Sequence, residues 1–183
     1  MERNEALDLI KQNVKNKNLI KHMLAVEAVM GALAPHFGGD PELWRLAGLL
    51  HDIDYDQTFD KPEEHSKMGA QMLEELQLPE ELVNAVRAHN EIHGIERSTA
   101  MDKALYCSDP VTGLIVAGAL IHPSKKLAAI DKDFILNRFN EKSFARGANR
   151  QTISACSELG LTLEDFVAIA LEAMQQSAGE LGL

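Results

Sequence analysis

Leu46-Ala47-Gly48-Leu49-Leu50-His51-Asp52-Ile53-Asp54 is the stretch on which the reading of this chain turns. It begins as the end of an apolar helix and finishes in an imidazole beside a carboxylate. Aspartate is seldom buried without a partner, and a helix C-terminus favours cations over anions. Asp52 is therefore out of place as an ordinary helix end. A neutral nitrogen ligand next to an anionic oxygen ligand suits iron, manganese, zinc or a related divalent ion. The helix that delivers the pair has a clear start, with Asp40 as N-cap and Pro41 in the first helical position. Leu43, Trp44, Leu46, Ala47 and Leu50 are its apolar positions.

Outward from there the pattern is helical in both directions, with no alternating, β-branched run bounded by hairpin turns. Upstream, a short helix fits Glu5 to about Val14. Asn18 is expected to cap a second helix, with Leu19, Val26, Val29 and Leu33 on one stripe. Downstream, a polar loop is expected from about Asp54 to Lys61. Pro62 should open a helix carrying His65, Met68, Met72, Leu73 and Leu76. Pro79 should open another with Leu82, Val86 and His89. Ser98 is expected to cap a segment reaching Asp109, and an apolar helix should run from Val111 to His122-Pro123. Further helices fit about 132–139 and 149–159, and Thr162 with Asp165 should cap a last one. The expected fold is all-α and single-domain over residues 1–183, with a motif-bearing core at about 18–122 and added C-terminal helices.

Further potential ligands lie on the apolar stripes of these helices. His22 shares the stripe of Leu19 and Val26, His65 that of Met68 and Met72, and His89 that of Leu82 and Val86. Any one of them could be a core histidine with a hydrogen-bond partner. His93, one turn after His89, is its alternative. Asp109 precedes Pro110 and could equally be an N-cap. His36 and His122 sit at expected helix ends and read as surface residues. Taken together, His22, His51, Asp52, His65, His89 and Asp109 suffice for a dinuclear centre, because a carboxylate such as Asp52 can bridge two ions.

The formal net charge of the 183-residue chain is -10, which argues against a nucleic-acid polymer as partner. It leaves room for a small phosphorylated substrate, since a metal centre can invert the local field. Two cysteines, Cys107 and Cys156, give no disulfide framework, so a cytoplasmic location is expected. The N-terminus lacks a signal-peptide pattern. The apolar run from Val111 to Ile121 is short for a membrane span, which needs about 20 residues, so no membrane partner is expected. The apolar C-terminal helix could form the interface of a homodimer.

The order His22, His51-Asp52, Asp109 resembles the HD-domain metal-dependent phosphohydrolases, whose motif is H…HD…D on an all-helical domain. With His65 and His89 added, the chain is similar to their dinuclear subgroup, H…HD…H…H…D. Within that, it looks most like the bacterial HD proteins that hydrolyse diadenosine tetraphosphate symmetrically. The similar stretches are Glu64-His65-Ser66-Lys67-Met68-Gly69-Ala70, Ala88-His89-Asn90 and Tyr106-Cys107-Ser108-Asp109. No GYP-type signature of the cyclic-di-GMP phosphodiesterases is present. The resemblance implies His22, His51, Asp52 and Asp109 on one ion, and Asp52, His65 and His89 on the second. It also implies a metal-activated hydroxide as nucleophile. Iron is the favoured metal, with manganese, nickel, cobalt, zinc or magnesium as alternatives.

One departure matters. Many members read H-D-I-G-K here, whereas this chain reads His51-Asp52-Ile53-Asp54-Tyr55-Asp56, without the lysine. Asp54 and Asp56 become candidate general acids, water-orienting groups or outer cation ligands beside the catalytic Asp52, or turn-forming residues of a solvated loop. Phosphate contacts must then come from elsewhere. Lys142, Arg146 and Arg150, spaced four apart, would share a helix face if Gly147 is tolerated, and Lys142 and Arg146 are the main candidates. Two other classes use the same ligands: a dinuclear-iron oxygenase of the HD type, and a non-catalytic nucleotide-binding regulatory module.

Overall fold

Asp40 caps its helix as expected, its carboxylate accepting from the Glu42 N–H at 3.0 Å. The structure, a computed structural model, describes residues 1–141 and 143–183. In chain order the helices are α1 (Arg3–Asn13), α2 (Lys17–Leu33), α3 (Pro41–Leu50), α4 (Tyr55–Thr58), α5 (Lys67–Glu75) and α6 (Glu80–Ala88). They continue with α7 (Ala100–Ile121), α8 (Lys132–Asn140), α9 (Arg150–Ser154), α10 (Leu163–Gln176) and α11 (Ala178–Leu181). Among the described residues there is no β-strand, so the fold is all-α.

The pairing of α2 with α3 sets the site. A Cβ on Gly48 would lie 2.7 Å from the Val26 carbonyl oxygen, so only glycine lets the two backbones come this close. His22 lies one turn before Val26, and His51 and Asp52 lie one turn after Gly48. The antiparallel crossing therefore brings them face to face. α7 packs against α2, α6, α8, α9 and α10 and forms the centre of the bundle.

Several local expectations are corrected. The cap of α2 is Asn16, not Asn18: its side-chain oxygen accepts from the Asn18 and Leu19 N–H groups. Thr99, not Ser98, caps α7, through a reciprocal box with Asp102. α7 is a single helix through Pro110 rather than two segments. Proline removes one intrahelical hydrogen bond, and burial of both flanking segments in the core outweighs that loss. At 22 residues α7 is long and apolar enough to cross a membrane, yet 61% of its apolar window is buried inside this fold. The expected loop after Asp54 contains the short α4. The helix expected from Pro62 begins only at Lys67, so His65 lies in the turn before it. Residues 143–149 are not helical, and the expected Lys142–Arg146–Arg150 face does not form. Lys142 itself lies outside the described residues. Arg150 instead donates to the carbonyls of Phe139, Phe144, Ala145 and Ala148, which holds that loop closed.

Candidate metal centre

Asp52 stands at the middle of the site, and its two oxygens face different partners. Oδ2 lies 3.4 Å from His51 Nε2 and 3.7 Å from His22 Nε2. Oδ1 lies 3.4 Å from His65 Nε2 and 3.6 Å from His89 Nε2. Asp109 Oδ1 closes the first group at 3.1 Å from His22 Nε2. All of the residues singled out as ligands in the sequence are thus brought together.

Every one of these histidines is held by its other ring nitrogen. His51 Nδ1 donates to the Gly48 carbonyl at 2.8 Å, and His89 Nδ1 to the Val86 carbonyl at 2.6 Å. His22 Nδ1 meets the Thr112 hydroxyl at 3.1 Å; that hydroxyl spends its own proton on the Asp109 carbonyl, so the imidazole donates. His65 Nδ1 donates to Asp54 Oδ1 at 2.9 Å. A proton fixed on Nδ1 leaves Nε2 as a bare lone pair in the neutral ring. The Nε2 atoms of His22 and His51 nevertheless face each other at 3.2 Å. Two lone pairs at that distance repel unless a cation or a proton lies between them.

The spacing also suits a metal. Two ligand atoms each about 2.0–2.1 Å from a divalent ion stand roughly 2.8–3.4 Å apart in octahedral or tetrahedral coordination. The group His22, His51, Asp109 and the group His51, Asp52, His89 each offer ligand atoms mutually within 4.8 Å. The donor set fits divalent metal. The electrostatics agree: burial alone would lower the pKa of His51, but the charge of Asp52 and its hydrogen bond, then Asp109, push it up to about 9. Burial acts in the opposite sense on Asp52, where the His51 charge and hydrogen bond prevail and hold the carboxyl well below its usual range. Protons thus occupy this cluster until a metal displaces them.

Asp54 has a place the sequence did not suggest. It is fully buried rather than at a solvated mouth. Its Oδ2 accepts from the Ser66 and Gly69 N–H groups at 2.8 and 2.7 Å, and its Oδ1 holds His65. With both oxygens engaged it is a positioning residue, and the roles of general acid or outer cation ligand do not fit this geometry. Ser66 takes φ +71° to aim its N–H at Asp54, a backbone state that costs about 1–3 kcal/mol and is kept where surroundings enforce it. His93 donates from Nε2 to the His65 carbonyl at 2.7 Å, so His89, not His93, faces Asp52. Asp56 accepts from the Lys15 N–H and tethers α4 to the α1–α2 turn.

A cavity of about 220 Å³ adjoins the centre, lined by His65, His89 and Asp109 together with Asn90, Glu91, Tyr106, Asn149 and Thr152. The Tyr106 hydroxyl donates to Glu91 at 2.8 Å, and the Arg97 guanidinium stacks on its ring at 3.7 Å. Arg146 is exposed on the loop whose next residue, Gly147, lines this cavity. The positioning roles of Thr112, Asp54 and His93 escaped the sequence reading. Thr112 lies three residues after Asp109 and would have been visible had α7 been read as continuous.

Ribonuclease Y of Campylobacter jejuni subsp. jejuni serotype O:23/36 is 35% identical over 92 residues, which cover 50% of this chain and 17% of that protein. Ribonuclease Y of a Nitratiruptor species is 29% identical over 139 residues, covering 74% of this chain and 26% of that protein. This chain therefore spans about a quarter or less of the length of these curated relatives. The crystal structure of the HD domain of the L. monocytogenes phosphodiesterase PgpH has the same fold, with a TM-score of 0.55 at 15% identity, covering 97% of this chain and 99% of that one. The HD domain model matches residues 19–132, a span that contains every residue grouped around Asp52, and the chain belongs to the HD domain family.

Proposed function

We propose that this chain is a phosphohydrolase that uses a pair of divalent ions to cleave a nucleotide or related small phosphate ester. The observation that carries this reading is the split of the Asp52 carboxylate, one oxygen towards His22 and His51 and the other towards His65 and His89. In that reading His22, His51, Asp52 and Asp109 hold one ion, and Asp52, His65 and His89 the other. Divalent metal there supplies Lewis acidity towards a phosphoryl oxygen and lowers the pKa of a bound water. The chain's own residues do the rest. The Nδ1 partners fix the tautomer and aim of each imidazole, and Asp54 fixes His65. The adjoining cavity offers Asn90, Asn149 and Thr152 to the organic part of the substrate. Arg146, exposed and next to the cavity-lining Gly147, is the candidate phosphate contact, since an arginine can pair bidentately with a phosphate.

Within phosphohydrolases, dinucleoside polyphosphates are the first substrates to offer. They match the resemblance of the motif stretches, and they match a strongly acidic chain better than an RNA polymer does. The test is hydrolysis of diadenosine tetraphosphate and of simple phosphodiesters by metal-loaded protein, beside Asp52→Ala. Turnover with redox-inert manganese or magnesium, lost in the variant, supports the proposal. Turnover retained by Asp52→Ala, or seen only with iron and with consumption of oxygen, contradicts it.

A further inference from the structure

The centre is most open at Asp109 and His22. The side chains of Asp109 and His22 keep 38% and 24% of their exposure, against 0% and 8% for His51 and Asp52. Asp109 and His22 touch each other, and each lines a different cavity. On the Asp109 side is the hydrogen-bonding cavity described above. On the His22 side is a groove of about 380 Å³ between α2 and α7, walled by Val116, Leu120, Leu181 and Leu183, with Lys21 at its rim. The two differ in chemistry, and they meet at the metal centre.

α7 links the groove to the centre. Asp109, Gly113, Val116 and Leu120 recur at helical spacing on one face, a stripe roughly 16 Å long at the rise of an α-helix. Gly113 is the informative member. Glycine is disfavoured inside a helix, and a Cβ built there meets nothing within 4 Å, so no neighbour requires its absence. Its effect is to lower the floor of the groove beside Asp109. Leu120 remains 50% exposed at the far end.

We infer that this groove is a subsite for an aliphatic arm of the phosphoester substrate, whose phosphate sits at the metal centre and whose polar arm fills the cavity beyond Asp109. The inference rests on the phosphohydrolase reading above but departs from its first choice of substrate, favouring esters with one polar and one hydrocarbon arm over dinucleoside polyphosphates. The walls decide the chemistry of the occupant. Val116, Leu120, Leu181 and Leu183 are aliphatic and the polar lining is limited to Asn18, Lys21 and His22, so the edge of a nucleobase would find few partners along them. Lys21, whose Nζ lies beside Gly182, adds a cation to the groove of a chain whose net charge is -10.

The test is calorimetric binding of methyl phosphate and octyl phosphate to the metal-loaded full chain, with the octyl ester below its micelle concentration. Full burial of a methylene is worth roughly a three- to fourfold gain in affinity, and half burial about twofold. Wild type should therefore bind octyl phosphate at least about tenfold more tightly than methyl phosphate. Gly113→Leu raises the groove floor without a clash and should remove most of that preference. Leu120→Asp, remote from the ligands, should weaken the octyl ester alone. Circular dichroism checks that both variants fold. Equal affinity for the two esters, or a preference that survives Gly113→Leu, overturns the subsite, as does a groove found buried in a dimer by ultracentrifugation. A variant-sensitive octyl preference in protein that hydrolyses no phosphoester would keep the subsite and remove the hydrolytic reading, so the two failures are told apart.

Discussion

The two sides of Asp52 are built in different ways. On one side, His22, His51 and Asp109 belong to long or strongly capped helices, and packing of α2, α3 and α7 brings them together. The close approach at Gly48 sets their spacing. On the other side, His65 lies in the turn before α5, outside helix geometry, and His89 caps the end of the nine-residue α6 as His51 caps the ten-residue α3. The order of His65 comes from polar clamps, Asp54 on its ring and His93 on its carbonyl, whereas His89, like His51, rests on the carbonyl three residues before it. A ligand set by core packing is hard to disturb from its surroundings. One set by a few hydrogen bonds depends on each of them.

That contrast can be broken most directly at its shared member. Asp52→Ala removes a ligand from both sides and should reduce phosphoester hydrolysis by at least about a thousandfold, measured as kcat/KM with saturating metal. A smaller effect would mean that the sides act independently. Next comes Asp54→Asn, which keeps the shape but weakens the hold on His65. Metal affinity of that side alone should fall about 10–100-fold, read by chelator competition, while the His22 side keeps its ion. Loss of both ions together would show that the two sides are one cooperative unit.

The same contrast explains what was legible in the sequence. Helical periodicity found His22, and the Asp40-Pro41 start signal placed His51 and Asp52, because those residues obey local rules that the core then uses. His65 was identified by residue type and motif order, but its local structure was misassigned. The turn at Ser66 has φ +71°, and nothing in Glu64-His65-Ser66 announces it. The buried carboxylate that enforces the turn is 12 residues away in sequence. Asp54 was misplaced for the same reason: an aspartate run reads as a solvated turn until its donors are seen. Pro110 hid the continuity of α7, since its cost is local while the burial that overcomes it is tertiary. The 143–149 loop departs most clearly from expectation. Spacing suggested a helix face, whereas Arg150 turns inward to satisfy backbone carbonyls.

A moderate effect is expected from pH. In metal-free protein His51 has its pKa pushed up from 6.5 to about 9, because Asp52 outweighs burial. It is therefore protonated at neutral pH, and metal must displace that proton. Affinity should rise about tenfold per pH unit for each proton displaced, up to about pH 9. Calorimetry in buffers of different ionisation enthalpy should register the proton release at pH 7. The raised pKa also stabilises the metal-free fold fully below about 6.5, and that contribution is lost as pH rises through about 9. Metal-free protein should thus lose thermal stability on that rise. The smallest effect is expected from His93→Ala, which leaves the His65 carbonyl with Asn90 Nδ2 at 3.3 Å as donor and its ring held by Asp54. A loss of roughly three- to tenfold in activity with unchanged metal content would match the loss of one hydrogen bond.

Metal stoichiometry tests the central claim most directly. Protein purified anaerobically without added metal would be analysed for elements beside His65→Ala and His22→Ala. The dinuclear reading predicts about two ions per chain in wild type and about one in each variant. A single ion in wild type that survives His65→Ala would contradict it and reduce His65 to a core residue.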